Sequence, residues 1–212
     1  MGRMAVMRTQ RGFDRLVNFS DAVVAIAITL LILPLVDASP EVVKEGIGPY
    51  FNDNFWQLLA FAISFVVIAR LWMVHHEVFD WIDGYTSGLL WLNILWLAAI
   101  VFMPFTANVL SDSPNGQPDV YALYVGNLLL ATLTMQVMEL VIVRTPGLLL
   151  PEAAGQADLL RGWTFVILMA VALALAVLFP SVGMFWLLIL FLSKPLHILL
   201  SRLFHSKASA GA

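Results

Sequence analysis

His75-His76-Glu77 is the densest group of potential ligands and proton carriers in this chain. Its spacing suits a metal poorly. Adjacent histidines on a helix diverge, unlike the i, i+4 pair of a zinc-binding helix. The remaining imidazoles, His197 and His205, lie near the C-terminus, so no complete ligand set is visible. A structural or regulatory role suits these histidines better. The chain has no cysteine, which removes thiol catalysis, thiolate metal sites and disulfides. With no nucleophile and no second metal cluster, a membrane enzyme using His75, His76 and Glu77 ranks last. The expectation is a non-enzyme with no catalytic residues and no cofactor.

Arg15 and Asp21 form the second constellation. Six positions apart on a helix, they point about 120° apart and cannot easily pair with each other. Each therefore needs a partner elsewhere. The second apolar segment brings His75 and His76 back to the level of Asp21. A bond from either histidine would satisfy a poorly solvated carboxylate and make that end of the first segment sensitive to protonation. The alternative is that Ser20 or Asp21 caps a helix N-terminus. Glu139, with Gln136, is an acid within an apolar segment and a functional candidate on that ground. Arg144, about one turn away, offers it a structural partner. Together Asp21, His75, His76 and Glu139 could serve a proton-coupled cation transporter as a relay, the leading alternative to a passive pathway.

These groups sit in a very apolar chain. Of 212 residues, 61% are hydrophobic and 12% charged, with a mean hydropathy of +0.90 and net charge −3. A soluble domain carries roughly a quarter charged residues. The expectation is an all-α integral membrane protein: one domain, 1–212, with six spans near 19–36, 55–74, 87–109, 121–143, 163–179 and 183–203, each close to the roughly 20 residues a span needs. The first apolar run is longer than the roughly 7–15 residues of a signal-peptide core, so it reads as a span rather than a cleaved leader. If the spans alternate, Arg3, Arg8, Arg11, Arg15, Arg70, Arg144, Arg161, Lys194, Arg202 and Lys207 share one side, and only Lys44 faces the other. The positive-inside rule then puts both termini in the cytoplasm of a multi-pass cell-membrane protein. Asp37, Glu41, Glu45, Asp53, Asp112 and Asp119 fall on the outer side, where they favour cations mildly or simply solvate the loops.

Aromatic residues divide the spans. Trp56, Phe61, Phe65 and Trp72 in the second, Trp91, Trp96 and Phe102 in the third, and Phe185, Trp186 and Phe191 in the sixth suit lipid-facing surfaces. Between Ala22 and Leu33 the first span has no aromatic, and its only polar side chain is Thr29. Ala22, Ile26, Thr29 and Leu33 share one helical face, with Leu30 at its edge. Such a face fits a helix shielded from lipid near an axis, and it also fits ordinary helix packing. The alanines of the fifth span fit close packing. Asn93 marks a buried polar group in the third span and Pro104-Phe105 a break. Pro195 predicts a kink in the sixth, with Lys194 snorkelling toward water.

Arg15-x-x-x-Phe19-Ser20-Asp21 resembles the RxxxFSD signature of the lysosomal potassium channel family (transmembrane protein 175 family), in its shorter prokaryotic branch. The likeness extends through the aliphatic run ending Leu33-Pro34, through Trp72-x-x-His75-His76, and from Asn93 to Pro104-Phe105. It implies a homotetramer of six-span subunits with the first span of each lining a central potassium pore. No TVGYG-like filter sequence is present. Carried onto this chain, the resemblance makes Ile26 the narrowest ring. Leu30 and Leu33 form further aliphatic rings and Thr29 a hydroxyl ring. Arg15, Phe19, Ser20 and Asp21 hold the cytoplasmic ends, with His75 or His76 and Asn93 as partners. Beyond permeating K⁺, monovalent cations and the bilayer, it implies no metal and no nucleic acid.

Overall fold

A bilayer leaves no water to bond the backbone, so an apolar chain must satisfy its own N–H and C=O groups as helices. The computed structural model describes residues 10–113, 117–199 and 201, and among them the chain is helical with no strand. Arg3, Arg8, Arg202, His205 and Lys207 lie outside the described residues.

The first span is α1, Gln10–Leu30, which continues after a turn at Leu31-Ile32 as the short α2, Leu33–Asp37. Pro34 explains the interruption: it has no N–H to give to the carbonyl four residues back. Two further short helices, α3 (Ser39–Glu45) and α4 (Ile47–Asp53), fill the connection to the second span and meet at Gly46, whose φ of 90° suits glycine. The next three spans are single helices: α5 Phe55–Phe79, α6 Ser87–Ser111 and α7 Pro118–Arg144. Pro104 does not break α6, which runs through it. α8, Leu159–Leu178, is the fifth.

The sixth segment differs from expectation. Five described helices are long and apolar enough to cross a membrane; the last apolar stretch is shorter. It runs as a 3-10 helix over Pro180–Leu192, then as α-helix over 193–199. A 3-10 helix rises about 2.0 Å per residue against 1.5 Å for an α-helix, so fewer residues cover the same depth. Pro195 falls in the first turn of the α-helical stretch, where its ring is tolerated, rather than kinking a longer helix.

α7 is the central helix, buried along most of its length between α6 and α8. α1 packs mainly on α6 and α5, at the edge of the bundle. The core includes Trp96, Ile100, Met103, Tyr124, Met138 and Ile142, with Ala172 and Ala176 of α8 also buried. Tyr124 reaches α5 through its hydroxyl, 3.2 Å from Ser64 Oγ. Trp56, Phe65, Trp91, Phe102, Phe185 and Phe191 are exposed, as lipid-facing rings should be; Trp96 is fully buried instead.

At the end where α1 begins, two connections are joined. Ile82 and Leu149 form an antiparallel bridge, Leu150 N–H donates to the Trp81 carbonyl at 2.8 Å, and the Trp81 indole donates to Gln156 Oε1 at 3.0 Å. Asp158 accepts from Arg161 N–H at 3.1 Å, capping α8, while its other oxygen lies 2.9 Å from His197 Nε2.

Candidate functional site: the first helix and its supports

α1 has two faces. Leu16, Ser20, Val24, Ala27 and Leu31 are buried against the bundle. Phe19, Ile26, Thr29, Leu30 and Leu33 are exposed; Ile26 is 61% exposed and Leu33 49%. The face singled out from the sequence is therefore the one that α1 turns away from its own subunit.

The buried face is anchored by a directional chain of hydrogen bonds. Ser20 Oγ donates to the Leu16 carbonyl at 2.9 Å. That uses its proton, so it accepts from Asn93 Nδ2 at 2.8 Å. The amide orientation of Asn93 is thereby set, and its Oδ1 faces His75 Nε2 at 2.8 Å. An amide oxygen only accepts, so Nε2 carries the hydrogen. The His75 ring is stacked between Phe79 and Trp96, with centroids 4.1 and 4.3 Å away. Three elements, α1, α6 and α5, are pinned at one level.

Asp21 does not bond either histidine. Its Oδ1 accepts from the Trp72 indole Nε1 at 2.8 Å. The expected Asp–His pair fails because α5 turns His75 inward to Asn93 and presents Trp72, one turn earlier, to α1. His76 points elsewhere: it stacks on Trp72, with centroids 5.4 Å apart, and its Nε2 is 3.7 Å from Asp80 Oδ2. The capping alternative also fails, since Ser20 and Asp21 lie in mid-helix. Arg15 is exposed at the same end of α1.

Glu139 is not part of this constellation. It lies on α7, with Glu77, Asp158 and Arg161 as its charged neighbours in place of Arg144. The relay imagined through Asp21, His75, His76 and Glu139 is thus dispersed among separate partners. Beside Glu139, the Gln136 side chain occupies the space where a Cβ on Gly162 would go.

The Thr29 hydroxyl donates to the Ile26 carbonyl at 2.8 Å, on the exposed face. With its proton committed, the oxygen presents only lone pairs outward.

The family model described as "Endosomal/lysosomal potassium channel TMEM175" matches residues 15–104, from the first residue of the signature to Pro104. A potassium channel of Streptomyces collinus is 34% identical over 46% of this chain and 47% of its own length. The chicken endosomal/lysosomal proton channel TMEM175 is 35% identical over 47% of this chain and 21% of its own. Residues 15–104 are a TMEM175-family segment.

The solved structure of a lysosomal potassium-selective channel TMEM175 homolog from Chamaesiphon minutus superposes with a TM-score of 0.68 at 23% identity, covering 93% of this chain and 98% of that one. The fold of that structure therefore extends over most of this chain, well beyond the stretch the family model matches. The alignment spans about half the Streptomyces relative and about a fifth of the chicken one.

Proposed function

We propose that this protein is a potassium-preferring cation channel: a homotetramer in the cell membrane, both termini cytoplasmic, conducting passively along an axis lined by α1. One observation carries the reading. The polar anchors of α1 are Ser20 on its buried side and the half-buried Asp21, while Ile26, Thr29, Leu30 and Leu33 form an exposed aliphatic stripe with one hydroxyl. The potassium channel of Streptomyces collinus, as a relative, supports giving that stripe to a pore. Loops rich in acids on the outer side, and the Lys and Arg distribution, support the orientation.

Rings of Ile and Leu make a constriction that can empty of water and close, or widen and conduct. An ion passing Ile26 must shed part of its hydration shell. K⁺ holds its water less tightly than Na⁺, so it passes at lower cost. The preference is modest, because no oxygen cage replaces the lost shell. A ring of Thr29 oxygens that can only accept would partly replace it. The pathway needs no cofactor.

The test is flux from liposomes carrying opposed K⁺ and Na⁺ gradients. Downhill K⁺ flux that does not saturate and needs no pH gradient supports the channel. Flux that saturates and stops without a pH gradient supports the proton-coupled transporter. The chicken relative, a proton channel, favours a further reading in which protons also pass. A pH-sensitive dye inside the same liposomes separates it.

A further inference from the structure

The aliphatic stripe of α1 crosses a break. Ile26, Thr29 and Leu30 lie on α1; Leu33 lies beyond the turn, on α2. Three independent features make the two parts unequal.

The first is the backbone. Pro34 gives nothing to the Leu30 carbonyl, Ile32 N–H reaches back only three residues to Thr29, and both Leu35 and Val36 N–H turn to the Ile32 carbonyl. The ladder is interrupted where the two parts meet. The second is anchoring. α1 buries Leu16, Ser20, Val24, Ala27 and Leu31, and Ser20 is hydrogen-bonded to Asn93, whereas α2 buries no residue. The third is space. Behind the break lies a half-open cleft of about 20 Å³, lined by Leu31, Pro34 and Leu35 on one side and by Ala60, Pro104 and Ala107 among others on the opposite helices. That is room for about one water molecule. A second proline, Pro104, interrupts the α6 ladder on the opposite wall.

We propose that α2 is a hinged tip that moves Leu33 independently of the Ile26 constriction, so that the chain carries two mechanically separate hydrophobic rings. Opening and closing at Leu33 then leaves the ion preference set near Ile26 and Thr29 untouched. A segment with few buried groups and a cut hydrogen-bond ladder opens more cheaply than the anchored helix beside it. The proposal rests on the pore reading above.

The test uses the full-length protein in lipid nanodiscs and bilayers. Amide hydrogen exchange over 33–38 should be at least about tenfold faster than over 20–30, reflecting the difference in local stability. Two variants act on different features: Pro34→Ala restores the missing N–H, and Ala60→Leu fills the cleft from the half-buried α5 side. Each should change single-channel open probability by about threefold or more while leaving the K⁺ over Na⁺ permeability ratio within about twofold, as local hinging predicts. Equal exchange in the two segments overturns the hinge. So do variants that leave open probability unchanged, or that shift selectivity along with it. If Pro34→Ala fails to fold, wild-type exchange and Ala60→Leu decide. Failure of the pore reading looks different: Ile26→Asn then leaves ion preference unchanged whatever α2 does.

Discussion

The indole of Trp72 donates to the carboxylate of Asp21 across 2.8 Å, joining α5 to α1 where neither histidine of the neighbouring pair does so. The bond satisfies one oxygen of a half-buried carboxylate near the start of the exposed stripe. Trp72→Phe keeps the ring and removes the N–H. It should cost about 1–3 kcal/mol of stability, the penalty for stranding one partner. The check is the melting temperature of the detergent-solubilised protein by size-exclusion fluorescence. A double-mutant cycle with Asp21→Asn should show coupling, because the two share one bond. Asp21→Asn should weaken folding or assembly more than ion preference.

Asn93→Leu removes both middle links of the buried chain, leaving His75 Nε2 without an acceptor in a dry site. The expected cost is about 2 kcal/mol or more. His75→Gln, which retains an N–H donor, should be milder. Thermal melts of the pair, ranked against wild type, test this; a harsher His75→Gln would refute the assigned direction.

Ile26→Asn should raise sodium permeation, because a polar side chain lets ions pass the narrow ring with more of their water. Reversal potentials under bi-ionic K⁺ and Na⁺ measure it. An unchanged reversal potential removes Ile26 from the pore.

Gly162→Ala is expected to destabilise by about 1–3 kcal/mol, as overpacking does. A methyl group there would clash with Gln136 Oε1. Gln136→Ala clears that space, so the double variant should recover much of the loss. Denaturation of the single and double variants decides it.

Much of the bundle was legible in the sequence because hydropathy alone forces spanning helices. The sixth segment was not: apolar composition cannot distinguish an α-helix from a 3-10 helix, and the prolines at 180 and 195 were the clue. Pro104 signals a break in the sequence, yet packing on both sides holds α6 together despite one lost bond. In the site, the shared level of Asp21 and the histidine pair is readable from span alternation; Asn93 as a partner comes only with the family resemblance, and the pairing is not readable. Trp72 has the pattern of a lipid-facing ring, although its N–H is a donor that a nearby carboxylate would seek. One-turn differences on α5 decide which side chain meets α1, and span boundaries are not that sharp. Asp158 and His197 come together only through the packing of α8 against the last segment, which no local pattern encodes.

The stitched loops around Trp81, Ile82, Leu149 and Leu150 have a mechanical consequence. Backbone bonds across two connections tie four long helices into a stator at one end, and α1 stands outside that stitching. Bilayer tension reaching the subunit therefore meets a frame braced at that end, and passes to α1 through the side-chain bonds of Ser20 and Asp21.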